Sequence, residues 1–361
     1  MINALRSATL ISLLAMSYSP AAAFEMRTST WAGNTVTLKV NSDVPVSLPD
    51  HYDTLLSAES KVNGNASALR FDLVVDNDAV SAQDNGESEL DFTSDNALLC
   101  NSLACAWVWD HGDATIDEAD VYFDVDYAWV LDDYKWSSVA YTTGATRPLM
   151  NTALHEMLHT MGAKHENDCI SILGNAWNVV STNGDYTEAV VSEDTTAGLV
   201  AVNGPRASTV NDLSVMHWKF DAVATGASAY SSHQRSLLKT TGGVTLTVAP
   251  GYDDPTYEAT PGQAIKVEMT LENRGTATEV RGLGVYWSTN STISTGDTLL
   301  FSSNATLGVG LPFEHTVTVT VPVGATPGQV YWVGAIIDRT GTLAESNEVN
   351  NAAYIAAIEV Q

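Results

Sequence analysis

The segment His155–His165, HEMLHTMGAKH, constrains this 361-residue chain more than any other stretch. His155 and His159 lie four apart, so a helix projects both imidazoles from one face. Apolar Leu149, Met150, Ala153, Leu154, Met157, Leu158 and Met161 recur at three- and four-residue spacing and predict that helix over 147–161. Gly162 is the expected stop, since without a Cβ it can take a positive φ and turn the chain sharply. The turn brings His165 back toward the first two rings. Three neutral imidazoles suit one zinc at ~2.0–2.1 Å and leave a fourth position open to water, as catalytic rather than structural sites do. Glu156 stands beside them on the helix, where its carboxylate can reach that water without being a ligand.

HEMLHTMGAKH matches the HExxHxxGxxH motif of the metzincin zinc peptidases, and the resemblance is sharp over about 153–174. It implies an α+β catalytic domain with a mixed sheet, an active-site helix and a Met-containing turn beneath the metal. It also implies Zn2+ on His155, His159 and His165, Glu156 as general base, and a protein or peptide substrate. Two stretches compete for the Met-turn. In the matrixin-like layout the place falls on Ser171-Ile172-Leu173-Gly174, with Leu173 for Met, a swap that keeps volume and apolarity. In the astacin-like layout it falls on Ser214-Val215-Met216-His217-Trp218, with Trp218 where a Tyr ligand is expected. The segment 192–199 (SEDTTAGL) resembles the closing helix of matrixin-like domains and precedes Met216, which favours the first layout.

Residues 1–23 read as a signal peptide: Arg6, an apolar stretch from about Ala8 to Met16, then Ala21-Ala22-Ala23. A secreted, extracellular location follows as an expectation. No later run reaches the ~18–20 apolar residues of a spanning helix. The balance is strongly acidic, 43 Asp plus Glu against 16 Lys plus Arg, formal charge −27. That argues against nucleic acid or an anionic membrane surface as partner. Export favours a small loop disulfide between Cys100 and Cys105, leaving Cys169 as a buried thiol.

The unit 24–205 alternates strands and helices. Strands are expected at 35–41, 69–76, 87–92, 104–109 and 119–125, and a helix at 49–62 with Asp50 as N-cap. Another helix is expected over 192–202, opened by Ser192 with acids in its first turn. Asp110, His111, Gly112, Asp113, Asp117, Glu118 and Asp120 gather oxygen ligands near a turn. They offer a structural Ca2+ site, although the spacing matches no complete loop motif and favours a solvated acidic loop.

Residues 206–242 read as a connector, with one strand over 212–220 and a short helix or turn over 231–239. From 243 to 361 the texture is all-β, with strands at 244–248, 265–271, 280–287, 315–321 and 330–337 and a loop over 252–261. Such spacing suggests an immunoglobulin-like sandwich. The pieces 260–263 (TPGQ), 271–275 (LENRG), 294–297 (STGD) and 345–351 (ESNEVNN) resemble the bacterial cell-adhesion-related (CARDB-type) domain. That resemblance implies an accessory module with a cell-surface ligand. The whole reads as a secreted zinc-dependent endopeptidase; the competing reading is an extracellular adhesive or scaffolding protein with a vestigial zinc site.

Overall fold

The computed structural model describes residues 24–77, 83–112, 114–131, 147–165, 171–173, 180–184, 186–219, 234–252 and 255–361. Residues 1–23, expected to be a signal peptide, lie outside them, as do Cys169 and Asp113.

The N-terminal unit is built on a five-stranded sheet in the order Arg70–Asp76, Thr35–Asn41, Glu89–Thr93, Glu118–Asp124, Ala104–Trp109. The first four strands run parallel; the edge strand Ala104–Trp109 pairs antiparallel with Glu118–Asp124. Alternation sets the faces. In TVTLKVN, Val36, Leu38 and Val40 are fully buried while Thr35 and Thr37 are exposed, as a sheet covered on one side requires. Helices Pro49–Asn63 and Leu149–Thr160 contribute Leu55, Ala58, Leu154 and Met157 to the same core as Leu38, Leu90, Val121 and Phe123.

Both helices begin at a proline. Pro49 occupies the first helical turn after Leu48, whose side chain makes no capping bond, so Asp50 is not the cap. Proline fits there because its missing N–H has no partner to lose. Pro148, extended at φ −65°, marks the start of the second helix two residues later than the periodicity predicts. Ser192 does cap its helix, Glu193–Asn203, accepting the N–H of Thr195 at 3.3 Å. The disulfide Cys100–Cys105 is formed.

The C-terminal domain is all-β. One sheet runs Thr256–Ala259, Ala352–Val360, Val330–Ile336, Glu279–Ser288, Thr298–Leu307. The other centres on Ala264–Asn273, paired with Phe313–Thr320 on one side and with Leu213–Met216 and Leu238–Thr240 on the other. Ile265, Val267, Met269 and Leu271 meet Val285, Val333, Ala335 and Ile355 between the sheets, the layered core of an immunoglobulin-like sandwich.

Five sequence expectations change here. The strand expected over 244–248 is reduced to isolated bridges, Thr245 with Lys239 and Val248 with Tyr257. The segment 206–242 supplies strands to the second sheet rather than merely connecting. The single strand expected over 212–220 breaks at His217 into Leu213–Met216 and Trp218–Lys219. The helix or turn expected over 231–239 is replaced by strands Gln234–Arg235 and Leu238–Thr240. The loop expected over 252–261 contains the strand Thr256–Ala259, parallel to the end of the chain. The strands Thr298–Leu307 and Ala352–Val360 are not among those expected; the last, AAYIAAIEV, is apolar on both faces and shows no alternation. Among the described residues no helix is long and apolar enough to cross a membrane.

Candidate metal centre

The helix Leu149–Thr160 is buried on nearly every side; His159 is its least covered residue. It ends at Gly162, whose φ of +94° suits glycine. The chain then reverses: Ala163 bridges Met26, and Lys164 donates its N–H to the Glu25 carbonyl at 2.8 Å. That clasp delivers His165 to the exposed side of the helix rings.

The three imidazoles meet. Nε2 of His155 lies 3.0 Å from Nε2 of His159 and 3.1 Å from Nε2 of His165. The ligand atoms of all three lie within 4.8 Å of one another, and no other such group of His, Cys, Asp or Glu occurs among the described residues.

The opposite ring nitrogens fix the tautomers. His155 Nδ1 donates to the Ile172 carbonyl at 2.7 Å, and His159 Nδ1 to the Ala163 carbonyl at 2.8 Å. A carbonyl only accepts, so each Nδ1 carries the hydrogen, and in the neutral ring Nε2 presents a lone pair. Burial favours that neutral form, lowering His155 to about 4 and His159 to about 3. Tetrahedral ligands at 2.0–2.1 Å from one ion stand about 3.3 Å apart, close to the nitrogen separations found. The donor set and its spacing therefore fit a zinc ion. Facing lone pairs otherwise repel.

Glu156 is 7 % exposed. Burial pushes its carboxyl up to about 8, and the Ala106 N–H it accepts pulls the other way. Ala106 belongs to the edge strand, so the carboxylate stands between the helix and the open side of the sheet.

In the metal-free protein His155 and His159 are expected to withdraw stability as pH falls. Unfolded histidine takes up a proton near 6.5, whereas these two hold out to about 4 and about 3. Below 6.5 the unfolded state binds more protons at these rings, so their contribution drops from there down through those values. The raised carboxyls of Glu156, Asp120, Glu193 and Glu345 act in the opposite sense, so the check is a difference: chelator-treated wild type should fall relative to His159→Gln in parallel melts from pH 7 to 4, and saturating zinc should raise the wild-type midpoint at pH 7. Gly162→Ala should cost about 1–3 kcal/mol, because an L-residue is strained at that φ. It should also weaken zinc binding by displacing His165; denaturant melts and chelator competition read the two effects.

The three histidines are legible in the sequence; the carbonyls of Ile172 and Ala163 that orient two of them are not. No residue type encodes a main-chain acceptor. The turn Ser171–Leu173 lies against His155, and Leu173 is 3 % exposed in the core that contains the helix. Met216 instead stands opposite Thr270 in the second sheet.

The acidic group expected to offer Ca2+ is occupied with loop architecture. His111 bridges Asp117 at 2.9 Å and Asp84 at 3.0 Å. Glu118 accepts the N–H groups of Asn85 and Gly86, and Asp120 that of Glu89. The Glu/Asn cluster near the chain end ties down Leu213, whose N–H meets the Glu345 carboxylate; Asn351 donates to Glu345 at 2.8 Å and Asn350 to Asp212 at 2.8 Å.

No curated protein matches the chain. Among solved structures it is similar to the CARDB domain of a Pyrococcus furiosus protein crystallised in complex with di-metal ions. Identity there is 17%, covering 42% of this chain and 90% of that one, with a TM-score of 0.26. The solution structure of the same Pyrococcus furiosus domain matches at 18% identity, covering 42% of this chain and 97% of that one, also with a TM-score of 0.26. The CARDB family profile matches residues 243–354. Over that stretch, which holds most strands of the immunoglobulin-like sandwich described above, the chain carries a CARDB domain.

Proposed function

We propose that this protein is a secreted zinc-dependent endopeptidase of the metzincin type. One observation carries the reading: three Nε2 atoms converge while two of the rings are locked by main-chain carbonyls in the tautomer a metal needs. His155, His159 and His165 would hold the ion. Bound zinc supplies Lewis acidity, lowering the pKa of water toward ~7 and polarising a carbonyl.

The chain's own groups do the rest. Glu156 takes a proton from the attacking water and returns it to the leaving amine. In the metal-free chain burial raises that carboxyl, and a bound cation beside it favours the ionised form that a general base needs. Among the described residues the edge strand Ala104–Trp109 has no strand partner on one side, where, apart from the Ala106 N–H that Glu156 holds, an extended peptide can add as a further strand. That favours unfolded or loop segments of a protein substrate over compact ones.

The test uses the exported chain, loaded with zinc and given a denatured protein. Time-dependent cleavage that a chelator stops and zinc restores supports the reading. Stoichiometric zinc with no cleavage of any denatured protein or peptide library favours the adhesive alternative, with the CARDB domain as the working part.

A further inference from the structure

The two halves of the chain share a buried polar seam that leads back to the metal centre. Arg274, at the end of the CARDB strand Ala264–Asn273, is 2 % exposed. It reaches across to the N-terminal unit, donating from one guanidinium nitrogen to the Val191 carbonyl at 3.3 Å and from another to Asp212 at 3.4 Å. Glu272, fully buried, faces the same guanidinium at 3.8 Å. Asn350 donates to the same Asp212 oxygen, Oδ1, at 2.8 Å.

Val191 is joined directly to Ser192, the cap of the helix Glu193–Asn203. The Ser192 and Thr195 hydroxyls each lie 3.4 Å from the Ser171 hydroxyl, and 2.9 Å from one another. Ser171 in turn accepts the Leu173 N–H at 3.2 Å, closing the turn whose Ile172 carbonyl holds His155 Nδ1. All of these residues are buried, and buried hydrogen bonds are costly to leave unmade. A buried arginine able to bond a carbonyl and a carboxylate at once is a rigid anchor.

We infer that Arg274 of the CARDB domain is a positioning residue for the metal centre, acting through Val191, Ser192 and Ser171 on the turn that orients His155. The CARDB domain is thus part of the scaffold of the site rather than a detachable appendage. The inference rests on the metal-site reading of His155, His159 and His165 but not on peptidase activity. Partners that orient a metal-binding histidine typically change affinity by about 10–100-fold when lost.

The experiment uses the full chain with three substitutions: Arg274→Ala, Ser171→Ala and, as control, Arg281→Ala, which breaks a CARDB ion pair with Glu279 away from the seam. Two readouts are taken. The first is zinc affinity by chelator competition, with the visible spectrum of the cobalt-substituted protein. The second is metal-free: the exchange-protected Nδ1–H proton of His155 in histidine-labelled protein.

Arg274→Ala and Ser171→Ala should each weaken zinc about tenfold or more, alter the cobalt spectrum and lose the protected His155 proton. Arg281→Ala should change none of these. If Arg274→Ala does not fold, Ser171→Ala, which buries no new charge, decides alone. Wild-type zinc affinity and a protected His155 proton in the folded seam variants overturn the inference, as does an equal loss in Arg281→Ala. Should the wild type bind zinc yet cleave nothing, the peptidase reading fails while this inference stands. Should it bind no metal, the metal-site reading fails and this inference falls with it.

Discussion

Glu156→Gln is expected to reduce peptide hydrolysis by roughly 10²–10⁴-fold, the usual worth of a positioned general base, while zinc stays stoichiometric. Glutamine matches glutamate in size and keeps a carbonyl for the Ala106 N–H that the carboxylate accepts. It cannot take a proton from water. His155 and His159 keep their bonds to Ile172 and Ala163, so the metal should remain. The substitution has a second signature in the metal-free protein. Burial holds the Glu156 carboxyl up to about 8 against 4.5 when free. Its ionisation therefore costs the folded state stability as pH rises from near 4.5 through 8. Glutamine lacks that cost, so the metal-free variant should melt above wild type at pH 8, with the difference shrinking by pH 5. Metal analysis, a cleavage assay and paired melts measure all three effects. Equal cleavage by both proteins removes Glu156 from the chemistry.

Ending the chain after residue 242 should abolish cooperative folding of what remains. Leu213, Val215 and Met216 are fully buried in a strand whose partner, Ala264–Asn273, would be gone. Re-exposing three such side chains costs about 5–9 kcal/mol at 1.5–3 kcal/mol each, as much as many whole domains possess. Further bonds cross the same boundary. Asn183 donates to the Ile293 carbonyl and accepts the Ile293 N–H, Gly184 donates to Ser291, and Asn347 to Glu188, which also pairs with Lys61. The shortened chain should bind hydrophobic dyes, lack near-ultraviolet dichroism and take up zinc poorly. A sharp melt with zinc affinity like that of the full chain would show the two parts to be independent.

The sequence announces some of this and conceals the rest for identifiable reasons. Strands 35–41 and 104–109 are read to the residue, the first because β-branched residues alternate with a buried face, the second because a short apolar and aromatic run is bounded by turn residues. The cap at Ser192 is legible since serine followed by acids is a local signal. The histidine set is legible because helical spacing and one glycine suffice to predict convergence. The seam between the halves is not. In the strand Ala264–Asn273, Glu268, Thr270 and Glu272 alternate with apolar residues just as a solvent-facing strand would, yet all three are buried. Their cover comes from distant parts of the chain, and Lys239, which pairs with Glu268 at 2.6 Å, carries no local mark of that role. The strand Leu213–Met216 was placed in a connector for the same reason: its partner lies more than fifty residues on.

Whether His155, His159 and His165 share one ion is decided by X-ray absorption on the zinc-loaded full chain. One zinc per chain is expected, with three imidazole nitrogens at ~2.0–2.1 Å and a fourth light ligand exchangeable with solvent. A correctly folded sample that takes up no zinc, or a shell with fewer than three histidine nitrogens, would contradict it.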